Sequence, residues 1–222
     1  TVFINKEDKK LVNSAEKLSR IEFSNTINSD YKIELVSANP FVKIRYKNTT
    51  INSNLIGEYN YTNIAASITI GLHFKIDIEN IKKAIENYIP KINRSQLIQK
   101  ENNELILDAY NANPSSIKAA LVNFEKTTTN KTKIVILGDM FELGSYSKEE
   151  HQKIIELLNN SNSIKKAYLA GGHFSESTIK NNKIFIFKDT EDLLNELKTA
   201  NIQDAYILIK GSRGMALERT TR

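Results

Sequence analysis

The chain has 222 residues, 40% hydrophobic and 26% charged, which suits one large folded domain or two modest ones and excludes a disordered protein. It has no cysteine, so disulfides and thiolate metal sites are excluded, and no apolar run approaches the roughly 20 residues that span a bilayer. The net charge of +5 comes from lysines mixed with glutamates on predicted helix faces, without the aromatic interleaving of a nucleic-acid surface.

The chain opens Thr1-Val2-Phe3-Ile4-Asn5, a strand-like run with no initiator methionine, and reads as a segment of a longer, cytoplasmic protein. Val2 to Ile4 predicts a short strand, and Lys6 to Ala15 a helix with Asp8 in its first turn. Strands are expected over Arg20–Phe23, Tyr31–Ser37 and Phe41–Tyr46, the last with Val42, Ile44 and Tyr46 facing a core. Lys47-Asn48 supplies a turn into Thr49–Leu55, and this material reads as antiparallel. Ile64–Gly71 predicts a tightly packed helix. Asn60 and Asn63, three apart ahead of it, share one face and either present two amides to one ligand or serve as a cap and a surface residue. A helix over Asp77–Tyr88 buries Ile78, Ile81, Ala84 and Ile85. The polar run Asn93-Arg94-Ser95-Gln96 marks a boundary, giving domains at 1–94 and 95–222.

From Leu97 onward strands alternate with helices. Leu97–Gln99 and Leu105–Asp108 are predicted strands, and Pro114–Thr127 a helix burying Ile117, Ala120, Leu121 and Phe124. Lys133–Leu137, Ala167–Ala170, Ile184–Phe187 and Ala205–Ile209 follow as strands. Helices are expected over Ser147–Asn159, with a capping box from Ser147 and Glu150, and over Glu191–Leu197. Short apolar strands with crossover helices predict an α/β fold with a Rossmann-like, mostly parallel sheet, preceded by an α/β remnant of another domain. In such sheets the working loops lie at the carboxyl ends of the strands. That puts Asp108–Asn113, Gly138–Leu143, Gly171–His173 and Lys210–Arg213 on one rim.

The stretch Glu104–Pro114 (ELILDAYNANP) is the most telling. A buried strand delivers Asp108, Tyr110, Asn111 and Asn113 onto a helix start, which makes either a ligand site or a capped strand-to-helix turn. Lys210 and Arg213, after the last apolar strand, either clamp a carboxylate or phosphate or make a solvated helix start. His73, His151 and His173 are expected to lie far apart and to lack metal-ligand spacing, with a surface or packing role for His151 on its helix rather than a catalytic one. There is no G-x-S-x-G elbow and no G-x-G-x-x-G fingerprint.

Five segments in order, GEYNYTNIAAS at 57–67, NRSQ at 93–96, DAYNANPSS at 108–116, LGDMFELG at 137–144 and KGSRGMALE at 210–218, resemble the Mur ligase family. The resemblance implies ATP- and Mg2+-dependent peptide-bond formation in peptidoglycan precursor synthesis. The wording favours the branch that joins D-alanyl-D-alanine to UDP-N-acetylmuramoyl-tripeptide through an acyl phosphate. It further implies Asn60 and Asn63 on the adenine side of ATP, Arg94 on its phosphates, Asp108 on the ribose hydroxyls and Tyr110 beside the nucleotide, with Arg94 and Asp108 as the catalytic pair. Asn111, Asn113, Lys210, Ser212 and Arg213 would face D-alanyl-D-alanine, with Arg213 on its carboxylate. The protein would be a monomer, with the magnesium ligands mostly elsewhere.

Two departures stand out. Tyr59 occupies a place where the family often has His, and no G-x-x-x-x-G-K-[ST] phosphate loop occurs in the sequence. The expectation is therefore the end of a central ATPase domain plus a C-terminal ligase domain, inactive by itself. Folylpolyglutamate synthase and a non-catalytic Rossmann-like binding module are the alternatives.

Overall fold

The computed structural model describes residues 1–221. The chain divides into two compact units, one running from Thr1 to Ile89 and one beginning at Pro90.

In the first unit five strands lie side by side in chain order: β1 (Val2–Asn5), β2 (Arg20–Ser24), β3 (Tyr31–Ala38), β4 (Phe41–Tyr46) and β5 (Thr49–Ile56). Only β3, β4 and β5 form the antiparallel meander. β1, β2 and β3 run parallel, which corrects the expectation of antiparallel material throughout. The short link into β3 is permitted because β2 and β3 overlap only at Phe23–Tyr31 and Ser24–Lys32, so the chain hardly has to return. The β1–β2 crossover is α1 (Lys9–Ser14), which begins later than predicted because the Asp8 carboxylate accepts from Lys10 N and Leu11 N. Asp8 is thus the cap rather than a first-turn residue. Val42 and Ile44 are fully buried and Tyr46 half-buried, as the alternation requires. Helices α2 (Tyr61–His73) and α3 (Ile78–Asn87) cover this sheet, and Ile64, Ala65, Ile68 and Ile81 join its core.

The second unit is a six-stranded sheet built from β6 (Gln96–Lys100), β7 (Asn103–Asp108), β8 (Thr132–Gly138), β9 (Ile164–Ala170), β10 (Ile184–Phe187) and β11 (Ala205–Lys210), ordered β10-β9-β8-β11-β7-β6. Every pairing is parallel except the β6–β7 hairpin, which makes this the mostly parallel α/β sheet that the alternation predicts. Its helices are α4 (Pro114–Lys126), α5 (Ser147–Asn160), the single turn α6 (Gly172–Ser175) and α7 (Thr190–Thr199). Helix α4 buries Ile117, Ala120, Leu121 and Phe124, the predicted stripe.

The strand order positions the rim. The chain leaves β7, makes β8 two places away, and fills the gap only at the end with β11. Lys210, the last residue of β11, is therefore in register with Asp108 on one side and Leu137 on the other. Any group in the loop after β11 is held between the loops after β7 and β8, the crevice where open parallel sheets carry their ligands.

Candidate functional site

At the end of β7, Asp108 faces two partners. Its Oδ2 lies 2.6 Å from Lys210 Nζ, and its Oδ1 accepts from Ser95 N at 3.1 Å. Lys210 also donates to Asn111 O at 3.3 Å, and its side chain is only 4% exposed, against 16% for Asp108. A lysine this buried needs the carboxylate to offset its desolvation. Its ammonium is paired with Asp108 in this structure.

The cations that remain exposed are Arg94 and Arg213, and both meet Tyr110. The Arg94 guanidinium carbon lies 3.8 Å from the Tyr110 ring centroid and that of Arg213 lies 5.2 Å away. The ring face attracts both cations and holds their planar donor forks in one place. Positive φ at Ile92, Asn93 and Ser95 winds the segment that carries Arg94 onto the rim.

The other rim residues are more committed than sequence suggests. Asn113 is the N-cap of α4: its Oδ1 accepts from Ser116 N at 2.8 Å, and Ser116 Oγ accepts from Asn113 N at 3.1 Å, a complete capping box. Asn111 is exposed, with Oδ1 bonded to Ala112 N. Ser212 is 3% exposed, and its Oγ accepts from Phe141 N at 2.9 Å. In the first unit Asn60 is buried, its Nδ2 donating to Ile56 O and its Oδ1 accepting from Asn63 Nδ2. The two amides do share a face, but they bond each other, and Asn63 is the exposed member.

Three further residues shape the rim: Asp139 and Gly171, which the sequence placed there only as members of loops, and His151, expected only as a surface or packing residue of its helix. Asp139 is 3% exposed, and its carboxylate accepts from His173 N and Phe174 N at 2.9 and 3.0 Å, tying β8 to the start of α6. Gly171 precedes that turn with φ +132, and a Cβ there would stand 2.2 Å from the Asp139 carboxyl carbon. His151 on α5 is fully buried, and its Nε2 accepts from Met140 N at 3.0 Å. The available signals were Gly138-Asp139 and Gly171-Gly172 directly after buried strands. The predicted capping box of α5 is absent: a 3-10 turn, Gly144–Tyr146, runs straight into the helix, Ser147 lies inside the first turn beside His151, and Glu150 pairs with Lys153. His151 and His173 are not far apart, since their rings lie 5.3 Å from each other; this corrects the expectation from sequence distance. Among the described residues, no group of three or more His, Cys, Asp or Glu side chains is arranged to hold a metal ion.

Burial lowers the pKa of the His151 imidazole below its usual range, against the opposing pull of the Ser147 carbonyl and the Asp139 carboxylate. Its tautomer follows from its partners. Ser147 O, 2.7 Å from Nδ1, can only accept, and Met140 N can only donate to Nε2, so the proton is on Nδ1.

A protein-family model described as Mur ligase, glutamate ligase domain, matches residues 93–213. The UDP-N-acetylmuramoyl-tripeptide--D-alanyl-D-alanine ligase of Bacillus subtilis is 27% identical over 225 residues, covering 97% of this chain and 49% of that protein. The ligase of the same name from Rickettsia prowazekii is 32% identical over 163 residues, covering 72% of this chain and 35% of that protein. The chain thus spans about half or less of the length of these relatives. A solved MurF ligase from Thermotoga maritima, in complex with ADP, shares the fold at a TM-score of 0.79 and 20% identity, over 98% of this chain and 51% of that one. With its second unit matched almost throughout, and that match spanning more than half of its residues, the chain belongs to the Mur ligase family.

Proposed function

We propose that, in the full-length protein, these residues serve the ATP-dependent joining of D-alanyl-D-alanine to UDP-N-acetylmuramoyl-tripeptide in peptidoglycan precursor synthesis. The observation that carries the reading is the pair of exposed guanidiniums on Tyr110, beside a carboxylate–ammonium pair, at the crevice of a parallel sheet. Relatives named for this reaction, which align over most of the chain, support D-alanyl-D-alanine over glutamate as the incoming amine.

ATP would supply the phosphoryl group that activates the tripeptide carboxylate. The chain's own part is to hold charge. Arg94 and Arg213 present donor forks suited to phosphate and carboxylate oxygens, one toward the nucleotide and the other toward the dipeptide carboxylate. Tyr110 keeps both forks in place before either ligand arrives, which lowers the ordering cost of binding. Asp108 has lone pairs left for ribose hydroxyls, and Lys210 fixes the direction of its carboxylate. Asn111 stands exposed for the dipeptide. Asn60 and Asn63, in the first unit, are the proposed adenine contacts. The magnesium that goes with ATP is expected to be held mostly by parts of the full-length protein beyond these residues, and none of these roles runs through it. Without a phosphate loop, the 222 residues alone are expected to turn over no ATP. A cytoplasmic, monomeric enzyme goes with this reading; among the described residues no helix is long and apolar enough to cross a membrane.

The test separates the two arginines in the full-length ligase. Arg213→Ala raises KM for D-alanyl-D-alanine by roughly 10- to 100-fold, the effect of losing a charge-assisted hydrogen bond, and leaves KM for ATP within about twofold. Arg94→Ala does the reverse. A change confined to ATP kinetics in Arg213→Ala would remove it from the dipeptide.

A further inference from the structure

The loops after β8 and β11 are bolted together. Asp139 O accepts from Ser212 N at 3.1 Å, and Ser212 Oγ accepts from Phe141 N at 2.9 Å. The Phe141 ring lies so close to Gly214 that a Cβ there would meet it at 2.7 Å, and one on Gly211 would meet Gly138 Cα at 3.1 Å. Arg213 stands between these fixed points, so its backbone follows the segment Asp139-Met140-Phe141, whose links to that loop are made by Asp139 and Phe141. Two of these three have anchors of their own: the Asp139 carboxylate on the start of α6, and Met140 N on the His151 imidazole.

We propose that His151 is a positioning residue for the Lys210–Arg213 loop, its neutral, Nδ1-protonated imidazole anchoring Met140, so that protonation at Nε2 releases the pair of loops that holds Arg213. A proton taken from solvent at Nε2 occupies the lone pair that accepts Met140 N–H. Two N–H groups then point at each other 3.0 Å apart. An acceptor near the new N–H is Asp139 Oδ1, 3.5 Å away, already accepting from Phe174 N. Forming that bond draws the imidazole toward Asp139 and leaves Met140 N unpaired in a buried place, which displaces the segment Asp139–Phe141 and, through Phe141 N and Ser212 Oγ, the backbone beside Arg213.

The charged neighbours set the proton affinity. Asp139 after β8 and Glu150 on the same helix favour the cation; burial and His173 on α6 oppose it, and burial is the largest effect. On the outer side, Lys118 of α4 lines the groove it shares with Glu150 and Lys153. The phenyl of Phe174 meets the imidazole edge-on at 4.7 Å and excludes water from that side. The consequence for ligand binding rests on the role proposed for Arg213; the coupling itself is read without any ligand.

The experiment uses the 222-residue chain labelled with 15N. The imidazole nitrogens of His151 are expected to report a protonated Nδ1 and a bare Nε2 at pH 7.5. As pH is lowered through the midpoint of His151, the amides of Met140, Phe141 and Ser212 move together with it. In His151→Gln, whose amide oxygen can accept from Met140 N without titrating, these amides stay still, while in His173→Gln they still move. His151→Leu, which removes the acceptor, speeds hydrogen exchange at Met140, Phe141 and Ser212 by about tenfold or more and leaves β10 unchanged. An Nε2-protonated tautomer overturns the proposal. So do stationary Phe141 and Ser212 amides while His151 titrates, and so does unchanged exchange in His151→Leu. None of these outcomes depends on whether the full-length protein joins D-alanyl-D-alanine.

Discussion

Lys210→Met tests the centre of the rim. The substitution keeps most of the methylene packing and removes the ammonium, leaving the Asp108 carboxylate with Ser95 N as its one remaining partner in this pair of contacts. Breaking a buried ion pair from one side costs about 3–5 kcal/mol when both charges are dry. Lys210 is nearly dry at 4% exposure and Asp108 is partly wet at 16%, so the expected loss is toward the lower end, about 2–4 kcal/mol. For a unit of this size that lowers Tm by roughly 10 °C. The two units can unfold separately, so the assay is urea unfolding followed by hydrogen exchange at the β11 amides, which reports the second unit alone. The double variant Lys210→Met/Asp108→Asn should recover part of the loss, because the amide needs no counter-charge and still accepts from Ser95 N. A coupling of about 1–3 kcal/mol is expected between the two sites. If the two substitutions add to within about 0.5 kcal/mol, the pair is an incidental contact and the assignment of Lys210 as the residue that fixes Asp108 fails.

Gly171→Ala should destabilise the second unit by about 2–4 kcal/mol, since its φ of +132 is open to glycine and the added methyl would strike the Asp139 carboxylate; a urea midpoint within error of the parent would contradict this. Stability should also depend on pH through His151. Its folded pKa is depressed, so below about pH 6.5 the unfolded chain binds a proton that the folded chain refuses. This group's contribution is whole above that pH and shrinks as pH falls toward the folded pKa, with a slope of at most about 1.4 kcal/mol per pH unit. Urea midpoints from pH 7.5 to 5 should show the slope in the parent and lose it in His151→Gln.

The sheet of the second unit was legible because its strands are short apolar runs separated by amphipathic segments: β8 and β11 are buried on both faces, and only a parallel sheet covered by helices buries strands so completely. Helix α4 was legible to its core residues, because Pro114 and Asn113 mark its start and Ile117, Ala120, Leu121 and Phe124 its stripe. The parallel run of β1, β2 and β3 was not, because a short strand-to-strand link ordinarily means a hairpin, and the stagger of β2 and β3 exists only in three dimensions. The strand order hid the chemistry of the rim in the same way. Asp108 and Lys210 are 102 residues apart, and their pairing depends on β11 entering the gap between β7 and β8. Composition marked both as charged residues at strand ends, equally ready to meet a ligand. The register assigns them to each other and leaves Arg94 and Arg213 free of that pair. His151 was read from its helix alone as a surface or packing residue, and it is a buried one. Its bond to Met140 lay beyond reach, because nothing in the sequence distance between β8 and α5 indicates which imidazole nitrogen faces the loop.

The rim is proposed to serve a ligase whose incoming amine is D-alanyl-D-alanine. The most direct measurement is phosphate release by the full-length protein, with ATP and UDP-N-acetylmuramoyl-tripeptide held constant and the amine varied. Release should require D-alanyl-D-alanine, match the ligated product one for one, and fall sharply at limiting dipeptide in Arg213→Ala. Release driven by glutamate, or ATP consumption indifferent to the amine supplied, would contradict it.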